Sequence, residues 1–151
     1  MEKITLGSLF DGIGVFPLAA SRHGIVPLWA SEIEKAPVSI TKRHFPHMEH
    51  LGDITQLHGG EVPPVDIITF GSPCQNLSSQ GRREGLNGPK SGLFFQAVRI
   101  IEEMRDATEL ATRIENALEM IKGGKLSLED VAQYSGLSLE KVGELAEEKS
   151  A

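Results

Sequence analysis

Over the first seventy residues the hydrophobic positions fall in short blocks separated by glycine- or proline-bearing turns. Residues 4–10, Ile-Thr-Leu-Gly-Ser-Leu-Phe, read as a buried strand running into the turn Asp11-Gly12-Ile13-Gly14. The pattern predicts an apolar helix over residues 15–23, closed by Gly24, a typical residue just past a helix end. Residues 25–31 read as a second strand ending at the acidic Glu32, and residues 37–45 as a helix with Pro37 in its first turn. Leu51-Gly52-Asp53-Ile54 has the look of a short strand end, residues 59–64 of a surface loop, and residues 65–70 of a further strand. Residues 71–90 are loop by composition, and residues 93–104 an amphipathic helix.

Strand alternating with helix at this spacing predicts an α/β fold with a parallel sheet. Ligands of such sheets bind beyond the carboxyl ends of the strands. Residues 10–14, Glu32, Asp53 and residues 71–75 all fall at predicted strand ends, so four segments are expected to share one crevice. From about Thr108 the character changes. Leu110, Ile114, Ala117, Leu118 and Ile121 are spaced as one helix face, ending at Gly123-Gly124. Ser127 is placed to cap a short helix, with Asp130 completing a capping box. Gly136 turns the chain into a last helix with Leu139, Val142 and Leu145 on one face. The expected division is therefore residues 1–105 and an all-helical, helix-turn-helix-like tail over 106–151. The last helix carries Glu140, Glu144, Glu147 and Glu148 against Lys141 and Lys149, which favours a helical packing unit over a DNA-reading one.

Charge supports that division. The net charge of −6 is concentrated in the tail, where five Lys/Arg face ten Asp/Glu; residues 1–105 hold ten and eleven. With 40% hydrophobic and 24% charged residues among 151, global disorder is not expected. No apolar run approaches the roughly 20 residues of a membrane span, and the N-terminus lacks the pattern of a secretory signal. A single cysteine, Cys74, cannot form an internal disulfide, which points to a reducing, cytoplasmic setting.

Glycines 12 and 14 allow a sharp turn and a close backbone approach to a ligand. The third glycine of the dinucleotide fingerprint is missing, and nothing resembles a phosphate-cradling loop. Phe10 can offer a ring face to a purine, Glu32 can accept from ribose hydroxyls, and Asp53 from an adenine amino group. Each alone has a plainer reading, as core or strand-end cap. Together they suit an adenosine-bearing cofactor without pyrophosphate, a description that fits S-adenosylmethionine. Cys74 follows a buried strand in a loop made locally basic by Arg82, Arg83 and Lys90. Nearby cations lower a thiol's pKa towards the reactive thiolate, although a lone cysteine is more often a small buried hydrophobe.

In order and spacing, Ser8-Leu9-Phe10-Asp11-Gly12-Ile13-Gly14, Ser31-Glu32, Gly52-Asp53-Ile54 and Gly71-Ser72-Pro73-Cys74-Gln75 resemble the cytosine-5 DNA methyltransferase family. Gln80-Gly81-Arg82-Arg83-Glu84-Gly85-Leu86 and Ser91-Gly92-Leu93-Phe94-Phe95 extend the resemblance over roughly residues 3–105. The resemblance implies a Rossmann-like, S-adenosylmethionine-dependent methyltransferase sheet, here truncated. It implies transfer of methyl to cytosine C5 in DNA, on a base flipped out of the duplex. Cys74 is then the nucleophile that adds to C6, and it leaves when the C5 proton is lost. The cofactor-side residues implied are Phe10, Asp11, Gly12, Gly14, Glu32, Ile33, Asp53, Ile54, Pro73 and Leu93. Those implied to face the flipped base or DNA are Pro73, Gln75, Ser78, Arg82 and Arg83.

The sequence also departs from that family. The expected Glu-Asn strand after residue 105 is missing, since Glu115-Asn116 sits inside a helical pattern; the later arginine motif and the target-recognition region are not found either. The expectation is a methyltransferase portion inactive alone. The alternatives are half of a split enzyme completed by another chain, or a non-catalytic binding or regulatory protein. Expected partners are DNA, held weakly or with help, a complementing chain, or a second copy through an open edge on the strand at 65–70; no membrane is expected. His44, His47 and His50 form no convincing metal set and are expected to be solvent-exposed.

Overall fold

The computed structural model describes residues 3–71 and 92–148. Four strands, β1 (Thr5–Leu9), β2 (Val26–Ser31), β3 (Glu49–His50) and β4 (Ile67–Phe70), form one sheet in the order β3-β2-β1-β4. All three pairings are parallel. Helices α1 (Val15–Arg22) and α2 (Lys35–His44) connect β1 to β2 and β2 to β3. This is the parallel α/β architecture that the alternating pattern predicts.

Register places the functional edge. Leu9 lies opposite both Ser31 and Phe70, so β1, β2 and β4 end at one level. A reciprocal clasp sets the opposite end: Thr5 donates its N–H and hydroxyl to Asp66 Oδ2 at 2.7 and 2.8 Å, and Asp66 N–H donates back to Thr5 Oγ1 at 3.1 Å.

The core of this part gathers Leu9, Trp29, Ile54, Val62, Ala97, Ile100 and Met104. Trp29 is fully buried, and its indole N–H donates to Pro63 O at 2.9 Å. An aromatic of that size removes about 150–250 Å² from water, on the order of 4–6 kcal/mol at about 25 cal/mol per Å². The ring lies against Gly7 on β1, so close that any Cβ there would overlap it.

Three elements differ from the sequence expectation. The third strand is Glu49–His50, and residues 54–56 form a 3-10 turn with Asp53 as its N-cap, so Asp53 follows the strand rather than ending it. Residues 59–61 are a second 3-10 turn rather than an open loop, with Gly59 buried against the backbone of Ile100 and Met104. The third difference is α3, one unbroken helix over Gly92–Gly123 where two were expected. The apolar face shifts near residue 105, but nothing between Gly92 and Gly123 is glycine or proline, so the hydrogen-bond ladder continues.

The chain divides into two compact units, Met1–Met104 and Arg105–Ala151. The second has its own core of Ala117, Val131, Val142 and Leu145, packed by Ile114, Leu118 and Ile121. Leu110, expected on the same face, is 51% exposed. Helices α4 (Leu128–Ser135) and α5 (Leu139–Glu148) meet at Gly136, which is left-handed at φ 72°. Ser127 accepts from Asp130 N–H at 3.1 Å, and Asp130 reaches back to Ser127 N–H, completing the capping box read from the sequence. Among the described residues no helix is long and apolar enough to cross a membrane.

Candidate functional site

The turn after β1 is built on unusual backbone. Phe10 has φ 54°, followed by Gly12 at 58° and Gly14 at 82°. A bulky residue in the left-handed region stores on the order of 1–3 kcal/mol of strain, and such strain clusters at ligand sites. The strained residue is half-buried against the core cluster. Gly14 caps α1 and meets the fully buried Thr41 of α2, where a Cβ would collide. The turn is thus pinned from below by α2.

Glu32, just past β2, ties itself to that turn. Its Oε2 accepts Gly12 N–H at 2.9 Å, while Oε1 accepts the N–H groups of Ile33 and Glu34 at 2.8 and 2.9 Å. Three of roughly four lone-pair sites are used, leaving the carboxylate oriented and one site free. Next to it, the Ser31 hydroxyl donates to Gly52 O at 2.7 Å, joining the end of β2 to the segment that carries Asp53. Asp53 is exposed, and its Oδ1 accepts Thr55 N–H at 2.9 Å. Two hydrogen bonds therefore link three strand-end segments into one edge.

Asp11 occupies the middle of this edge and is only 5% exposed. Its N–H donates to Ser31 O at 3.1 Å, but neither carboxylate oxygen has a hydrogen-bond partner among the described residues. Burial pushes its carboxyl above the ordinary 3.8; the Ser8 hydroxyl opposes the rise from nearby, short of a completed bond, and the charge of Glu32 adds to it. A buried, unpartnered acid is costly, and a cationic ligand group would relieve it.

The remaining residues fall as follows. Ile33 is 66% exposed beside Glu32, whereas the Ile54 side chain is buried in the core. Leu93, in the first turn of α3, packs on the same core cluster as Phe10. Cys74, Pro73, Gln75, Ser78, Arg82 and Arg83 lie outside the described residues. Among the described residues no group of three metal-ligating side chains is present. His44 and His47 are exposed, but His50 is not: both its ring nitrogens are buried without hydrogen-bond partners among the described residues, at the end of β3, and burial, followed by Lys42, lowers its pKa. Sequence reasoning missed Trp29 as the centre of the core, and Arg99 and Glu103. From α3 these two hold residues 54–59, and the only sequence signal for them is an Arg with acids three and four positions on, which reads equally as a solvated helix face.

A parallel sheet whose level strand ends carry a glycine turn and flanking acids defines a methyltransferase-type α/β fold. The solved structure of a DNA modification methyltransferase encoded within an E. coli prophage has that fold, with a TM-score of 0.55 at 24% identity, over 68% of this chain and 30% of that one. The chain belongs to the C-5 cytosine-specific DNA methylase family, whose model matches residues 4–127. The match runs past residue 105, where the motif resemblance ends, and beyond the end of α3 at Gly123. The type II methyltransferase M1.ScrFI of Lactococcus lactis subsp. cremoris is 33% identical over 122 residues, covering 80% of this chain and 31% of the relative. A protein of Escherichia phage P1 named DNA N-6-adenine-methyltransferase is 32% identical over 110 residues, covering 70% of this chain and 15% of the relative. The chain spans less than a third of the length of either relative.

Proposed function

We propose that this chain supplies the methyl-donor pocket and the nucleophile of a DNA cytosine-5 methyltransferase. The observation that carries the reading is the pair of ties, Gly12 to Glu32 and Ser31 to Gly52, which bring the Phe10 turn, Glu32 and Asp53 to one edge. S-adenosylmethionine, when bound, supplies the methyl group that cytosine C5 receives. Its parts match the edge chemically. The Phe10 ring offers a face to adenine. Glu32 keeps one acceptor site for a ribose hydroxyl, and exposed Asp53 keeps Oδ2 for the adenine amino group. The orphaned Asp11 carboxylate fits the positively charged amino-acid end, since an ammonium brings both charge and donors to two unpaired oxygens.

Cys74 follows Phe70 by four positions in the chain. Its thiolate adds to cytosine C6, electron density moves to C5, C5 takes the methyl, and loss of the C5 proton expels the sulfur. Pro73 and Gln75 flank the base, and Arg82 and Arg83 approach phosphate. The 151-residue chain by itself is expected to bind donor and to turn over poorly. General acid–base help at the base is typically worth about 10²–10⁴-fold, and base flipping costs a few kcal/mol that must be met by DNA contacts. Those contributions would come from the remainder of the relatives' length, on the same polypeptide or another.

Calorimetric titration with S-adenosylhomocysteine tests the pocket. Micromolar binding to wild type that Phe10→Ala and Asp53→Ala both abolish supports the reading. Wild-type protein that takes up no ligand removes it.

A further inference from the structure

Helix α3 reaches into the adenine side of the edge through one arginine. Arg99 Nη2 donates to Ile54 O at 3.1 Å and Nη1 to Leu57 O at 2.9 Å, so one guanidinium grips both ends of the 3-10 turn that Asp53 caps. Its Nε is held by Gln96 Oε1 at 2.9 Å. Glu103, one helical turn on, pairs with Nη1 at 2.9 Å and accepts Gly59 N–H at 2.6 Å. The Gly59 bond, followed by Arg99, holds the Glu103 carboxyl below its ordinary value of 4.5. The segment is pressed home by the buried Ile54 side chain and by Gly59, which has no room for a Cβ.

We propose that Arg99 and Glu103 are positioning residues that aim Asp53 at the adenine amino group. The inference rests on the reading of Asp53 as the acceptor for that amino group. The Asp53 carboxylate is oriented by Thr55 N–H, and that donor belongs to the turn whose two carbonyls Arg99 grips. From the other side Ser31 holds Gly52 O. Arg99 suits this task because its planar fork carries several donors in fixed directions; a lysine ammonium on the same stem cannot hold two carbonyls and a carboxylate at set angles.

A role confined to stability predicts that all ligands weaken together, whereas a positioning role predicts a loss of base selectivity. The test compares S-adenosylhomocysteine with S-inosylhomocysteine, in which a carbonyl replaces the amino group. Wild type is expected to prefer the adenosine form by about tenfold or more, the scale of one charge-assisted hydrogen bond. Arg99→Met is expected to bring that ratio close to one through loss of adenosine-form affinity, and Arg99→Lys to restore it in part. Glu103→Gln, which keeps an oxygen for Gly59, is expected to give an intermediate ratio; should Arg99→Met fail to fold, Glu103→Gln and Arg99→Lys decide by the same measure. A full preference retained in these variants, or equal weakening of both ligands, overturns the inference and leaves the pocket standing. Wild type that binds both ligands alike, or neither, overturns the role of Asp53 and the inference with it.

Discussion

Glu32 Oε2 accepts the backbone N–H of Gly12 at 2.9 Å, so the acid at the end of β2 holds the glycine turn at the end of β1. The bond carries a positional cost for any neutral replacement, because the same carboxylate serves three N–H groups at once. Glu32→Gln keeps the size but turns an amide NH2 towards one of those donors. A part-buried donor left unmet costs about 1–3 kcal/mol. The urea midpoint should fall accordingly, and S-adenosylhomocysteine should bind at least tenfold more weakly. A variant as stable and as tight-binding as wild type would show the tie to be incidental.

Asp11 gives a pH signature of its own. Its folded value lies above 3.8, chiefly through burial, so the folded state holds the proton more tightly than the unfolded chain. Its contribution to stability is full below 3.8 and is lost as pH rises through the raised value. Asp11→Asn removes that slope. In unfolding curves recorded across the window, the variant should gain on wild type as pH rises, then run parallel to it. Binding of S-adenosylhomocysteine to wild type should strengthen across the same window as the carboxylate ionises. A difference between the two proteins that does not change with pH would contradict both.

Asp66 behaves in the opposite sense. The Thr5 N–H, then the Thr5 hydroxyl, holds its carboxyl below 3.8. Its contribution is present above 3.8 and disappears as pH falls through the lowered value. Asp66→Asn should therefore melt earlier than wild type at neutral pH and converge with it in strong acid. Parallel melting temperatures across the whole range would rule the clasp out as a source of acid sensitivity.

Gly7→Ala probes the packing beneath the site. The added methyl would overlap the Trp29 ring, which has nowhere to retreat in a filled core. Overpacking of this kind costs about 1–3 kcal/mol. Equilibrium denaturation should register it, with Trp29 fluorescence as the reporter. An unchanged midpoint would mean that the ring shifts freely.

Ser127→Ala addresses the second unit. Loss of the capping box should cost about 1 kcal/mol and speed amide exchange in α4 ahead of the sheet. Exchange that rises equally in both would tell against the separate core around Val131 and Val142.

Much of this was legible in the sequence, and for identifiable reasons. β1 and β2 are short apolar blocks bounded by Gly-rich turns, and Ser127 with Asp130 is a local signal that no distant contact can overrule. The elements misread were those decided by distant partners. β3 is only two residues long because it exists through pairing with Trp29 and Ala30, not through its own pattern. Gly59 looks like loop material until the α3 backbone lies against it. α3 appeared as two helices because the apolar stripe changes face, while the quantity that governs helix continuity, the absence of a breaker, does not change. Of the candidate site, Phe10, Glu32 and Asp53 carry chemistry that can be read one residue at a time. The orphaned Asp11 and the grip of Arg99 on two carbonyls emerge only in three dimensions.

The Thr5–Asp66 clasp sets one end of a ruler whose other end is the row Ser31, Leu9 and Phe70. Side chains alternate sides along a strand, so an extra residue spliced between Thr5 and Leu9 would exchange inward and outward positions and carry the Phe10 turn out of line with its neighbours. Length is therefore less negotiable here than identity. Away from Gly7, conservative substitutions along β1 can be absorbed locally, but one inserted or deleted codon would disperse the whole edge at a stroke.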